Sequence, residues 1–354
     1  MKVFVTVFMC ILVVSELRAD DLLCQNPNER KGYCVNINNC FGLKSVNTKS
    51  KRTFSESRFI QESRCGDGNF VCCAGDTDFD STYLLPQPLT CGGDIAHIKI
   101  LGGNETAISE FAWMVLLEYR RFYGSEPETP CGGSLLNHRY VVTAAHCLVG
   151  SYASPFGTLV SVRLGEHDTR TSEDCLGGIC SRGVKSVAIE EIHVHKNYVP
   201  DSEYWHDIGL IRLQSAVKYS PTIRPICLPS TVGGRILNDG QFLTVAGWGH
   251  TVNGGTGSPT LQKVRVPFVE NDTCMKKYES IYMHVNGSKI CAGGRSGVNS
   301  CGGDSGGPLM SYDKGSWILQ GIVSSGRQQC GSNWPALYTN VAEYENWIKE
   351  KMRP

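Results

Sequence analysis

The chain has 354 residues, and 34 Lys+Arg stand against 34 Asp+Glu, so its formal net charge is zero. That length accommodates one large domain and a small one. With no basic stripe or tail, the composition argues against a nucleic-acid partner, and no stretch beyond the amino terminus approaches the ~20 apolar residues of a membrane helix.

In chain order, Val3 to Val14 is a nearly unbroken apolar run after Lys2, and small residues follow at Ala19. The run is too short to span a bilayer. It reads as a secretory signal peptide over residues 1–19, which predicts a soluble, secreted mature chain. Of the 17 cysteines, Cys10 leaves with that segment and 16 remain. An even count in a secreted chain implies a disulfide framework, and the lack of paired Cys-x-x-Cys motifs speaks against zinc. Six cysteines (Cys24, Cys34, Cys40, Cys65, Cys72, Cys73) fall within a module over residues 23–74 that holds few large apolar residues. Such a segment needs covalent staples, and six cysteines allow 15 pairings. Residues 75–99 read as a linker, with Asp76-Thr-Asp-Phe-Asp80 and the prolines of Leu85-Pro-Gln-Pro88 favouring an extended stretch. Asn104, Asn271 and Asn286 each begin an N-x-S/T glycosylation pattern.

From Ile100 onward the texture becomes β-rich. Short runs over residues 113–117, 140–143, 159–164, 210–213, 242–246 and 318–323 are punctuated by Gly, Pro, Asn and Ser, as in a sandwich or barrel. At the end, Val341, Tyr344, Trp347 and Ile348 share one face at helical spacing, which predicts a C-terminal helix docked on the β body.

Three segments among these strands carry chemistry. Val142-Thr-Ala-Ala-His-Cys147 presents His146, and His206-Asp-Ile-Gly-Leu-Ile211 presents Asp207 before an apolar run. Asn299-Ser-Cys-Gly-Gly-Asp-Ser-Gly-Gly-Pro308 presents Ser305 in a glycine-rich loop. Read together they are a nucleophile, a base and the residue that orients the base. The glycines let backbone N–H groups, those of Gly303 and Ser305, converge on a developing oxyanion.

Ala144-Ala-His-Cys147, Asp207-Ile-Gly-Leu210, Gly247-Trp-Gly249 and Gly303-Asp-Ser-Gly-Gly-Pro308 resemble the chymotrypsin-like serine peptidases, over residues 100–354. The six-cysteine module, closed by the adjacent Cys72-Cys73, resembles the clip domain of arthropod proteases. The whole therefore resembles a clip-domain serine protease, a secreted zymogen of haemolymph cascades. The resemblance implies an all-β fold of two six-stranded antiparallel barrels with a C-terminal helix, preceded by a small disulfide-rich clip domain. It implies activation by cleavage after Lys99, in Lys99-Ile-Leu-Gly-Gly103, freeing the Ile100 amino group to pair with Asp304. It also implies eight disulfides: Cys24–Cys72, Cys34–Cys65, Cys40–Cys73, Cys91–Cys227, Cys131–Cys147, Cys175–Cys180, Cys274–Cys291 and Cys301–Cys330. No catalytic cofactor is expected. The loop Gly165 to Cys175 offers Glu166, Asp168, the Thr171 carbonyl and Asp174 as oxygen ligands for a structural calcium ion. The plain alternative is a solvated acidic loop.

The primary pocket departs from the trypsin-like pattern. Asn299 stands where the majority carry aspartate, Ala336 where glycine is usual, and Gly326 and Ser324 are kept. A neutral, polar floor favours large uncharged side chains over Arg, because a buried cation without a counter-ion is costly. The alternative is slow Lys or Arg cleavage through a bridging water. The resemblance implies a protein substrate (a downstream zymogen or cytokine precursor), an upstream activating protease and serpin inhibitors, with no nucleic acid or membrane. A non-catalytic binding cofactor is the competing reading, and a digestive role is disfavoured because digestion needs no clip module.

Overall fold

The structure is a computed structural model that describes residues 23–27, 31–40, 43, 47, 54–73, 85–86, 90–93, 105–123, 125–176, 179–181, 183–200, 205–233, 237–250, 257–283, 285–294, 303–325 and 333–353. The chain divides into two units, residues 1–79 and 80–354.

In the first unit, β1 (Leu23–Gln25) and β2 (Lys31–Asn36) precede helix α1 (Phe54–Glu62) and β3 (Phe70–Cys73), and the strands form an antiparallel sheet in the order β1-β2-β3. Among the described residues its buried apolar side chains outside cysteine are Ile37, Leu43, Phe59, Ile60 and Val71. Disulfides Cys24–Cys72, Cys34–Cys65 and Cys40–Cys73 bridge separations of 48, 31 and 33 residues. Loop closures of that size each remove unfolded-state freedom worth roughly 3–4 kcal/mol. Cross-links thus replace the core that so short a segment cannot build.

The second unit opens with β4 (Met114–Arg120), β5 (Glu128–Leu135), β6 (Tyr140–Thr143) and β7 (Thr158–Leu164). A two-stranded hairpin, β8 (Cys175–Leu176) with β9 (Ile179–Cys180), follows, then β10 (Lys185–Val194) and β11 (Gly209–Leu213). Six of these close a barrel in the order β10-β11-β6-β5-β4-β7. β6 and β11 are buried at every residue, which is why they read in sequence as short continuous apolar runs. The second barrel holds β12 (Phe242–Gly247), β13 (Gln262–Val269), helix α2 (Asn271–Glu279), β14 (Lys289–Gly293), β15 (Pro308–Asp313), β16 (Ser316–Ser325) and β17 (Pro335–Asn340). Its strands close in the order β12-β13-β14-β17-β16-β15 around Leu243, Val245, Val266, Leu309 and Tyr338.

The barrels share a junction. Trp113, fully buried, points its indole N–H at Met310 Sδ (3.1 Å) across that seam and packs with Phe111 and Trp317. The chain then returns to the first barrel: a 3₁₀ turn (Val341–Tyr344) leads into α3 (Glu345–Lys351), and Val341, Tyr344 and Ile348 bury against the first-barrel cluster with Trp347 half-buried beside them. The helical face expected from sequence is the one buried, although its first turn is 3₁₀ rather than α. The all-β, two-barrel fold with a C-terminal helix and a disulfide-rich amino-terminal module is the one expected.

Candidate active site

His146 sits in the 3₁₀ turn Ala145–Cys147 that follows β6, and Cys131–Cys147 ties this turn to β5. The histidine is 3% exposed. Its backbone N–H donates to Asp207 Oδ1 at 2.9 Å and its Nδ1 lies 2.8 Å from Asp207 Oδ2. An ionised carboxylate only accepts, so Nδ1 carries the proton and Nε2 is left as the base. Cys131 and Cys147 surround His146 as metal ligands would, but their disulfide removes both thiolates.

Asp207 lies just before β11 and is completely buried. His206 before it adopts a left-handed φ of 54°, which turns the chain sharply at this point. Burial alone would push the Asp207 carboxyl up. The His146 imidazole, the Lys289 ammonium and the Ser324 hydroxyl outweigh it and hold the group at about 2. The second barrel supplies two further donors: Ser324 Oγ to Oδ2 at 2.5 Å and Thr339 Oγ1 to the Asp207 carbonyl at 2.7 Å.

Ser305 precedes β15, on the opposite barrel from His146. Its carbonyl accepts the Gly132 N–H of β5 at 2.8 Å, and Gly306 N–H donates to Val323 of β16 at 2.9 Å. Gly306 has φ 78°, and a Cβ there would run into Thr143 and Gly132 of the first barrel. Only glycine lets the nucleophile loop lie directly on the strand that leads to His146. Gly303 also has a left-handed φ, 92°. Asp304 Oδ1 accepts the Gly249 N–H at 3.0 Å, and any side chain at Gly247 would collide with that carboxylate. The Gly247-Trp-Gly249 motif is thus the seat of Asp304.

A cleft of about 440 Å³ opens beside these groups, between Pro130, Tyr152 and Phe156 of the first barrel and Trp248, His250 and Gly303 of the second. Tyr152 stands edge-on to His146, with ring centroids 5.0 Å apart.

The acidic loop splits in two. Glu166 and Asp174 are both buried, and both accept the His167 N–H, at 3.0 and 2.8 Å. Burial and then the Asp174 charge push Glu166 up to about 7, against the pull of Arg163 3.3 Å away. Thr171 Oγ1 donates to Asp174 Oδ1 at 2.5 Å. Two adjacent buried carboxylates with a hydroxyl at hand offer the hard oxygen donors that a divalent cation takes. The Asp168 carboxylate instead grips Arg170, through contacts of 2.8 and 2.6 Å, which keep it ionised.

Ala336 is buried on β17, opposite Ala292 of β14. Disulfides Cys91–Cys227, Cys175–Cys180 and Cys274–Cys291 join the expected residues. Asn271 starts α2, and Asn286 Oδ1 accepts from the Ser288 N–H and hydroxyl at 2.9 and 2.5 Å. Lys99, Ile100, Asn104, Asn299, Gly326 and the Cys301–Cys330 pair lie outside the described residues, as does the signal segment. Lys289, Thr339 and Tyr152 were not singled out from sequence, whereas Trp248 lies in the Gly247-Trp-Gly249 motif. Lys289, a charge heading the apolar run Ile290-Cys-Ala292, was the one visible signal.

The Trypsin family model matches residues 100–348, and the model for the regulatory CLIP domain of proteinases matches 24–73. The chain belongs to the clip-domain serine proteases. Relatives in this family include Serine protease 7 of Drosophila melanogaster, 38% identical over 94% of this chain and 92% of that protein. Phenoloxidase-activating factor 1 of Holotrichia diomphalia is 39% identical over 94% of this chain and 93% of that protein. Among solved structures, the Drosophila Grass clip serine protease of the Toll pathway matches with TM-score 0.64 and 31% identity, over 94% of this chain and 97% of that one.

Proposed function

We infer that this clip-domain protease is a secreted zymogen and an active serine endopeptidase, cut after Lys99 and acting in an extracellular cascade of the kind its relatives serve, melanisation or Toll signalling. The observation that carries the reading is the His146–Asp207 couple: both carboxylate oxygens are engaged by one residue, with Nδ1 protonated and Nε2 left basic.

In the reaction, Ser305 Oγ attacks the scissile carbonyl carbon while His146 Nε2 takes its proton. Asp207 stabilises the imidazolium. The N–H groups of Gly303 and Ser305 receive the oxyanion, a donor pair worth about 3 kcal/mol per bond. His146 returns the proton to the leaving amine, and water then hydrolyses the Ser305 ester by the same relay. For activation, the new Ile100 ammonium pairs with Asp304, whose seat against Gly247 and Gly249 adjoins Ser305. A calcium ion held by Glu166 and Asp174, with Thr171 beside them, would neutralise their crowding. With Asn299 in the pocket floor, cleavage follows large uncharged residues in a protein substrate, a zymogen or cytokine precursor, and serpins are the matching inhibitors.

The alternative, a clip-domain binding cofactor with little turnover, draws on Asn299 and Ala336. Profiling the chain, cut at Lys99, against peptides that differ only in the residue before the scissile bond decides both points. Turnover with Leu, Phe, Tyr or Met ahead of Arg is expected. Efficient Arg cleavage overturns the specificity, and no turnover at all favours the cofactor. Lys99→Gln stays inactive after exposure to a trypsin-like activator.

A further inference from the structure

Lys289 heads β14 and is 2% exposed, an uncommon place for an ammonium. It reaches Asp207 through two hydroxyls. Its Nζ lies 2.6 Å from Ser324 Oγ and 3.4 Å from Thr339 Oγ1. An ammonium only donates, so both hydroxyl oxygens must accept from it, and each keeps its own hydrogen to give elsewhere. Ser324 gives it to Asp207 Oδ2 at 2.5 Å, and Thr339 gives it to the Asp207 carbonyl at 2.7 Å. The same Oδ2 faces His146 Nδ1 at 2.8 Å. Lys289, Ser324, Asp207 and His146 thus form one continuous chain of polar contacts, with exposures of 2, 7, 0 and 3%.

We propose that Lys289 is a positioning residue of the catalytic couple: it fixes the Ser324 and Thr339 hydroxyls as donors to Asp207 and balances part of the charge that Asp207 presents to His146. The inference rests on the reading of His146 and Asp207 as the base and its orienter. Its physical content is twofold. A hydroxyl rotor with no donor behind it can turn away from the carboxylate, and the ammonium removes that freedom. A positive charge one hydroxyl away from Asp207 also makes the carboxylate a weaker stabiliser of the imidazolium, which keeps His146 available as a base at lower pH.

Burial lowers the Lys289 ammonium to about 8, with Asp207 pulling the other way. Above that pH the neutral amine can accept from Ser324 and release the hydroxyl. Among the described residues, the other titratable groups beside this network are His206 and Tyr344. Burial first, and then Lys289, hold His206 below its usual range, and its Nδ1 contacts the Tyr344 hydroxyl at 3.0 Å. Burial raises the Tyr344 phenol, and His195, also lowered by burial, stacks on His206. Burial disfavours the charged form of each of these groups, so among the described residues Lys289 is the ammonium in contact with the hydroxyls of the couple.

The test compares the full chain cut at Lys99 with its Lys289→Met and Lys289→Gln variants. In Lys289→Met the acid limb of kcat/KM moves up by about 0.5–1 pH unit, the effect of losing one nearby positive charge. Its kcat falls about five-fold for the lost hydrogen-bond order. Lys289→Gln keeps a donor but no charge, so it shows the same shift with most of kcat restored. Profiles and kcat matching the parent in both variants would overturn the proposal, and if Lys289→Met does not fold, Lys289→Gln alone carries the comparison. A second readout does not need turnover. In a Ser305→Ala background, the low-field proton signal between His146 and Asp207 titrates at higher pH once Lys289→Gln is added, and an unmoved midpoint sinks the inference. A parent chain without any activity would count against the endopeptidase reading instead and leave the spectroscopic result to judge Lys289.

Discussion

Two regions of the barrel unit bury carboxylates and resolve the charge in opposite ways. Around Asp207 the fold gathers an imidazole, an ammonium and two hydroxyls, and the carboxyl drops to about 2 although it is wholly buried. Around Glu166 it gathers a second carboxylate and one arginine, Arg163, which also pairs with Glu118 at 2.8 Å, and the group rises to about 7. Burial alone does not set a carboxylate's behaviour; the sign of what is buried with it does. One arrangement meets its carboxylate with positive charge and hydroxyl donors. The other leaves its carboxylate beside a second one.

The largest break in that comparison is Asp207→Asn. It keeps the shape of the site but lets His146 adopt the wrong tautomer, so kcat should fall by about 10⁴-fold, the loss typical of a triad whose base is misoriented. Single-turnover rates on the cut chain measure it, and a loss below ten-fold would mean that the couple does not drive the reaction.

The next effect is a pH dependence of stability. Lys289 titrates near 8 when folded and near 10.5 when unfolded, so the unfolded chain binds the extra proton between those values. Stability therefore rises with pH across that window, by about 3 kcal/mol in total from this group. The difference in denaturation free energy between the parent and Lys289→Gln should grow in the parent's favour by that amount from pH 8 to 10.5. A flat difference would place the ammonium in a wetter site than the geometry shows.

Smaller again is the response to calcium. At about a hundred times its dissociation constant the ion adds about 2.7 kcal/mol, or roughly 5–10 °C in melting temperature. Glu166→Gln should remove that gain while costing little in chelator. A melting temperature indifferent to both calcium and chelator would return the loop to an ordinary acidic surface. The smallest effect belongs to Asp168→Asn. Its partner Arg170 is exposed, so stability should move by no more than about 0.5 kcal/mol and the calcium gain should persist.

Much of this was legible in the residues, for reasons that differ along the chain. β6 and β11 are buried throughout, so their apolar runs gave them away. β5, Glu-Thr-Pro-Cys-Gly-Gly-Ser-Leu, carries no such pattern, because its glycines serve close packing and the Ser305 contact rather than the core. β14 was hidden for a related reason: its first residue is the lysine that faces Asp207. The motifs around His146, Asp207 and Ser305 announce their chemistry locally, since each is a short turn at a strand end. What supports them does not, because Ser324, Thr339 and Lys289 meet Asp207 only after the second barrel has closed. In the clip unit the cysteines were plain while their pairing was open on spacing alone, since register, with Cys34 opposite Cys72, is a property of the folded sheet.

The most direct measurement is covalent labelling of the chain by a fluorophosphonate before and after cleavage at Lys99, with the modified residue located by mass spectrometry. Near-stoichiometric modification of Ser305 is expected in the cut chain, little in the uncut chain, and none after His146→Ala. A cut chain that stays unlabelled, or that is labelled equally well without His146, would contradict the endopeptidase reading.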